Sequence, residues 1–364
     1  MATLLYTRTE PLIDKLFEYN LLDQDKLDHL FCSNFVFNSM FKNSIGVDRS
    51  IDSPLNYVNV PIPTLRSVDS NIGTHLDERA QYFWSLNKPL KVLWSGGIDS
   101  TSILVALMRT NSKWYESLQV ITAHNEYSLF AEKYLEPKNC LINMEDNKEV
   151  LRDMDFYDKN SIYINGECAD QLFGYNYGAM IYKNQFRFWK YADIQKFIID
   201  YTWPKIINTQ YINNKTTNDM ILSWLDDFVA RAPFEIKTGN DFAWWCNFAL
   251  RWHDKMAFKY VGKVGTPKIN TVMNCFFATD NFQLWSMINH DAKFEDINQW
   301  KTYKQPLKNY IHEFTGDDDY RVNMIKVNSP YSQHEHKIEY CDDQDHIYTN
   351  YNDIPKEILK LVIK

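Results

Sequence analysis

Apolar and polar positions along this chain fall into two regimes. Between residues 76 and 164, short apolar runs alternate with stretches of helical period. Residues 76–86 read as a helix, Val92-Leu93-Trp94 as a buried strand, and 100–109 as a helix. Residues 118–123 (LQVITA) read as a second strand, 128–135 as a short helix, 140–142 as a third strand, 148–154 as a helix and 161–164 as a fourth strand. Strands and helices alternating in this way predict βαβ units, and so an α/β fold: a parallel sheet with helices on both faces. After residue 184 the pattern turns helical and aromatic. Residues 185–201, 219–229 and 244–260 carry Phe, Trp and Tyr at helical spacing, the signature of a packed core.

The flanks are less regular. Residues 11–17 and 27–31 read as short amphipathic helices, 57–61 (YVNVP) as a strand ended by Pro61 and Pro63, and 64–75 as a loop. This divides the chain into a small N-terminal unit, 1–75, without obvious chemistry, and a large unit, 76–364. Residues 332–350 are polar and acidic and read as a mobile tail or lid, followed by a short helix over 355–363.

The chemistry concentrates where the first strand breaks. Ser95-Gly96-Gly97 follows Trp94, and the helical run opens at Ser100 and Thr101. Adjacent glycines allow a sharp turn and close approach to a ligand. A helix N-terminus placed there presents N–H groups and the positive end of its dipole, which makes an anion site. Asp99 inside that site is anomalous, because a carboxylate repels a phosphate unless a divalent cation bridges the two. The stretch therefore points to a nucleoside triphosphate with Mg²⁺. No Walker loop GxxxxGK[ST] occurs in the chain.

Composition narrows the classes. The chain has 364 residues, 45% apolar and 24% charged, with a net charge of −8. That balance disfavours a duplex-binding surface, which needs a basic face. No apolar run approaches the ~18 residues of a membrane span, and residues 1–16 lack the apolar stretch of a signal peptide. The six cysteines are scattered without a CxxC pair, which argues against a zinc ribbon or a thioredoxin-like motif and fits reduced thiols in a cytoplasmic protein. His334-Glu335-His336 lies in a charged stretch without further spaced ligands.

A second cluster follows the fourth strand. In Asn165-Gly166-Glu167-Cys168-Ala169-Asp170-Gln171-Leu172-Phe173-Gly174-Tyr175, two acids three residues apart sit in a turn opening a helix. Taken alone, Asp170 reads as a helix cap and Glu167 as a solvated loop charge. In a parallel sheet, ligands bind at the carboxyl ends of the strands. Both clusters follow strands, so Glu167 and Asp170 share an edge with Asp99 and become candidates for a two-carboxylate Mg²⁺ site.

Ser95-Gly96-Gly97-Ile98-Asp99-Ser100 resembles the SGGxDS pyrophosphate loop of the ATP pyrophosphatases, which split ATP between its α and β phosphates. With GECADQLFGY about 70 residues on, the pair resembles the synthetase domain of the asparagine synthetase and β-lactam synthetase family. The resemblance implies an adenine nucleotide α-hydrolase-like sheet followed by a helical region, with ATP and Mg²⁺ as cofactors. Ser95, Gly96, Gly97, Asp99, Ser100 and Thr101 would hold the nucleotide. Asp99 and Asp170 would be metal ligands, and Glu167 would steer or deprotonate an attacking amine. Two positions depart from the family pattern. Cys168 stands where glycine is usual, at a backbone angle a side chain must be able to reach, and Gln171 stands where glutamate is usual, removing one charge. Asp254-Lys255-Met256-Ala257 is a shortened echo of a family DRxSMA segment, and 275–282 loosely resembles a VPFLD stretch. The family also carries a lysine that faces the α-phosphate. Lys326, some 20 residues after Lys304-Gln305-Pro306-Leu307, is the expected match.

Glutamine-dependent members of the family expose a cysteine nucleophile by Met removal. Position 2 here is Ala2, and about 90 residues precede the loop. The expectation is a chain without that glutaminase unit. It would take free ammonia, ammonia from a separate glutaminase subunit, or an amine-bearing substrate, beside a small-molecule carboxylate, with no membrane and no nucleic acid as partner. Three alternatives stand beside this ligase reading: an enzyme of the same superfamily that modifies a nucleobase or tRNA, a non-catalytic nucleotide-binding scaffold, and an interaction module built on the aromatic helices.

Overall fold

The apolar run before the glycine turn becomes the middle strand of a five-stranded sheet. The computed structural model describes residues 3–6, 15–40, 47–53, 55, 60–122, 128–143, 158, 160–174, 186–202, 218–252, 273–325, 339–341, 347–348 and 360. The chain divides into two units. One comprises Pro63–Phe173 and Gly262–Ser329, the other Met1–Ile62, Gly174–Val261 and Pro330–Lys364.

The first unit holds β1 (Leu90–Leu93), β2 (Leu118–Thr122), β3 (Leu141–Asn143), β4 (Ile162–Asn165) and β5 (Met273–Cys275). All neighbours run parallel in the order β3-β2-β1-β4-β5. This is the all-parallel sheet of an α/β fold. Leu90 pairs with Leu118 on one side and with Ile162 on the other. Successive strand residues point to opposite faces, so the burial of all four residues of β4 means that both faces are covered there. The strand order reverses between β1 and β4. In such sheets the crevice for a ligand opens at that switch point, beyond the carboxyl ends of the two strands.

Among the described residues this unit holds six α-helices of five residues or more: α1 (Ile72–Ser85), α2 (Ile98–Thr110), α3 (Ala169–Phe173), α4 (Asp280–Ile288), α5 (Gln305–Thr315) and α6 (Asp318–Asn323). α2 is buried continuously from Ile98 to Met108, so it is a central helix without a solvent face. Trp84 of α1 donates its indole N–H to Leu107 O of α2 at 3.2 Å. Tyr310 of α5 donates its hydroxyl to Asp77 of α1, and Arg109 of α2 stacks 4.6 Å over the Tyr310 ring. Burial, reinforced by Asp77, pushes the Tyr310 phenol above its ordinary pKa.

A helix start and a strand depart from expectation in this unit. α1 starts at Ile72, inside the stretch read as a loop, because Asn71 caps it by accepting the Gly73 N–H at 2.9 Å. β5 was not anticipated: Met-Asn-Cys has no β-branched residue, and its alternation runs over only three positions.

The second unit packs helices Gln24–Met40, Asn218–Ala230 and Gly239–Leu250 around stacked aromatics, with Trp224–Phe228 and Trp244–Phe248 centroids each 4.8 Å apart. Phe186, Trp224, Phe228, Trp244, Trp245, Phe248 and Trp252 of the aromatic stripes are buried, as their spacing suggested, whereas Phe188 is exposed and residues 253–260 lie outside the described residues. Buried Asp48 lies among Arg231 at 2.8 Å, Ser50 at 2.5 Å and His29 at 3.5 Å. Burial alone would raise its carboxyl, but the contacts with His29, Arg231 and Ser50 hold it below the usual value.

Residues 185–201 are not one helix. A 3₁₀ turn at Phe186–Phe188 and a helix at Tyr191–Phe197 flank Lys190, which is extended and pairs with Thr238. The polar segment 332–350 contains strands Glu339–Cys341 and Ile347–Tyr348, and the first of these pairs antiparallel with Thr3–Tyr6. It is therefore not merely a tail. The helix expected at 148–154, the motif echo at 254–257, the His334–His336 cluster and most of the expected strand at 57–61 and helix at 355–363 lie outside the described residues. Among the described residues no helix is long and apolar enough to cross a membrane.

Candidate functional site

The glycine turn keeps the geometry its residues require. Gly96 has φ +79°, a conformation that favours glycine. Gly97 is extended at the N-terminus of α2 and brings no side chain to cap it. The serines tie the turn together. Ser95 N–H donates to Ser100 Oγ at 3.2 Å, Gly97 N–H to Ser95 Oγ at 3.3 Å, and Ser100 Oγ–H to Gly97 O at 3.3 Å. Thr101 is placed differently from the other loop residues. It is fully buried, and its Oγ1 accepts the Trp94 indole N–H at 3.0 Å, so it anchors the turn from beneath.

The second cluster meets the first. Gly166, just past β4, lies against the start of α2: a Cβ on it would stand 3.4 Å from Asp99 Cβ and 3.5 Å from Ser100 N. Glu167 follows in the turn, partly buried, with its N–H on Asn165 Oδ1 at 3.3 Å. Cys168 is buried with φ +73°, so it keeps a glycine-like conformation with a side chain attached. Gln171 is fully buried. Asp170 enters the first turn of α3, half-way to solvent.

What joins the two acids is a lysine that sequence reasoning passed over. Lys304 is fully buried, and its Nζ donates to Asp99 Oδ1 at 2.5 Å and to Asp170 Oδ1 at 2.6 Å. The rings of Phe173 and Tyr303 lie 5.6 and 5.5 Å from the ammonium, within reach of a cation–π attraction. Lys304 itself is held at φ +59°, just before α5, with Pro306 in the first turn of that helix. A lysine in the left-handed region is uncommon and stores strain. The expected lysine, Lys326, lies outside the described residues. The clue to Lys304 was present in Lys304-Gln305-Pro306-Leu307, where proline marks a helix start and places the lysine at the turn before it.

Two hard-oxygen donors thus converge on one cationic centre. Among the described residues no group of three or more His, Cys, Asp or Glu could hold a metal ion. Mg²⁺ does not need three: it is commonly held by one or two carboxylates, with phosphate oxygens and waters completing its shell. The Asp99–Asp170 pair suits that role. No protein-family model matches the chain, and no curated protein matches its sequence.

Proposed function

We propose that this chain is an ATP-dependent amide-forming ligase of the asparagine synthetase type, built on an ATP pyrophosphatase-like sheet. One observation carries the reading: Asp99 after β1 and Asp170 after β4 meet at the strand-order switch point on a single buried ammonium, Lys304. A glycine turn alone would fit many anion sites. A glycine turn, two carboxylates and a lysine at one sheet edge fit a polyphosphate and its counter-cation.

In this reading the turn at Ser95–Gly97 and the N-terminus of α2 cradle the polyphosphate of ATP. Asp99 and Asp170 would hold Mg²⁺, which would supply positive charge to offset that of the phosphates. A substrate carboxylate oxygen attacks the α-phosphorus, the bond to the β-phosphate oxygen breaks, and an acyl-adenylate forms. Lys304 turns its ammonium to the charge that develops on the α-phosphate. Glu167 accepts a proton from the incoming amine as the new C–N bond forms and AMP leaves.

The test is pyrophosphate and AMP release from ATP with Mg²⁺, first with aspartate plus ammonia, then with a panel of carboxylic acids and amines. Release that needs both an acid and an amine, and that Asp99→Ala abolishes, is the expected result. Release that depends on a nucleobase or tRNA, or none with any acceptor, overturns the reading.

A further inference from the structure

A chain of hydrogen bonds ties the helix that carries Asp170 to the turn that carries Lys304. Ser286, in α4, donates its hydroxyl to Leu172 O of α3, two residues past Asp170. The carbonyl of Ser286 accepts from Lys293 Nζ at 2.8 Å, and the same ammonium meets His290 Nδ1 at 2.8 Å. The carbonyl of Lys293 then accepts the Lys304 N–H at 3.0 Å, beside an antiparallel pairing of Phe294 with Tyr303. Lys293 is 1% exposed. A lysine at the end of a helix can cap its last carbonyls for stability alone. Here the capping ammonium and the carbonyl that holds Lys304 belong to one residue.

We propose that Lys293 is a positioning residue: through Ser286 and its own carbonyl it sets Lys304 against Asp170. The role rests on the ligase reading for its purpose, but its geometry is testable without it. The strained backbone at Lys304 needs such support, because a residue held at φ +59° persists only where its surroundings over-determine it.

The experiment is acetylation of native protein with N-hydroxysuccinimidyl acetate, with labelling rates of individual lysines read by mass spectrometry. Lys308 is buried as fully as Lys304 and serves as the internal control. In Lys293→Met, Lys304 is expected to label about tenfold faster while Lys308 keeps its rate, because only the local opening at Lys304 becomes easier. An unchanged Lys304, or Lys304 and Lys308 rising together, overturns the proposal. Should Lys293→Met not fold, Ser286→Ala breaks the same chain with a smaller change, and a Lys304 rate equal to that of the unsubstituted protein overturns the proposal just as well. For turnover, Lys293→Met is expected to lower kcat for pyrophosphate release about tenfold with KM for ATP held within about twofold. A failure of the ligase reading is recognised separately, as absence of pyrophosphate release by the unsubstituted protein, and leaves the labelling result standing.

Discussion

Replacing Lys304 by methionine isolates the charge at the centre of the site. Methionine keeps most of the lysine stem and a Cβ, so neither the packing against Phe173 and Tyr303 nor the backbone strain at φ +59° changes much. What is lost is the ammonium between two carboxylates. Removing one member of a buried ion pair costs roughly 3–5 kcal/mol, mostly because the partner stays buried and uncompensated. The Lys304 side chain is 0% exposed, but those of Asp99 and Asp170 are 11% and 22% exposed, so water relieves part of the penalty. The lower end applies, about 3 kcal/mol, a factor of roughly 150 in the folding equilibrium. Asp99→Asn leaves the Lys304–Asp170 pair intact and should cost less, about 1–2 kcal/mol. Adding Asp99→Asn to Lys304→Met should restore part of the loss, since it removes one of two facing charges. Urea denaturation of the three variants at pH 7.5 and low salt checks this. A Lys304→Met midpoint equal to that of the unsubstituted protein, or a double variant weaker than both singles combined, would refute the bridging geometry.

Three further outcomes are expected. Valine at position 168 should be at least about 2 kcal/mol less stable than glycine there, because φ +73° suits glycine and excludes a β-branched side chain; equal urea midpoints would contradict the strained turn. Burial lowers the Lys308 ammonium from 10.5 to about 8, with Glu295 opposing and Lys301 adding to the effect. Between those values the unfolded chain binds more protons than the folded one, so Lys308 makes stability rise as pH goes from 8 towards 10.5. Lys308→Met should lose that rise, and parallel stability–pH curves for the two proteins would count against it. Gly239→Ala would place a Cβ 1.9 Å from Phe186 O and 2.7 Å from its carbonyl carbon, so it should cost at least about 2 kcal/mol by thermal or urea unfolding, whereas a neutral effect would contradict that packing.

The legible parts of this protein are those written in local pattern. β1, β2 and β4 are apolar runs broken by turn residues, and α2 follows its glycine turn where the dipeptide places it. Asp99 and Asp170 were legible as a pair because each follows a strand, and a parallel sheet collects strand ends on one edge. β5 was not, since three residues without β-branching are too few to establish a period. Lys304 was hidden for a different reason. It lies 205 residues from Asp99 in sequence, and nothing about a lysine before a proline-led helix says that its side chain is fully buried. Its left-handed backbone is imposed by tertiary contacts such as the Lys293 carbonyl, which no local propensity encodes. Cys168 is the converse case. The sequence required only that a side chain reach the angle there, and the structure keeps the glycine-like angle and places the thiol in the core.

The central claim is that a carboxylate oxygen attacks the α-phosphorus of ATP at the Asp99–Lys304–Asp170 edge. Its most direct test uses the acid that supports pyrophosphate release, with ¹⁸O in its carboxylate, in the presence of ATP, Mg²⁺ and the amine. Mass spectrometry of the nucleotide product should find a single ¹⁸O in AMP, carried over when the amine displaces the adenylate. AMP without label, or ADP and phosphate in its place, would contradict the claim.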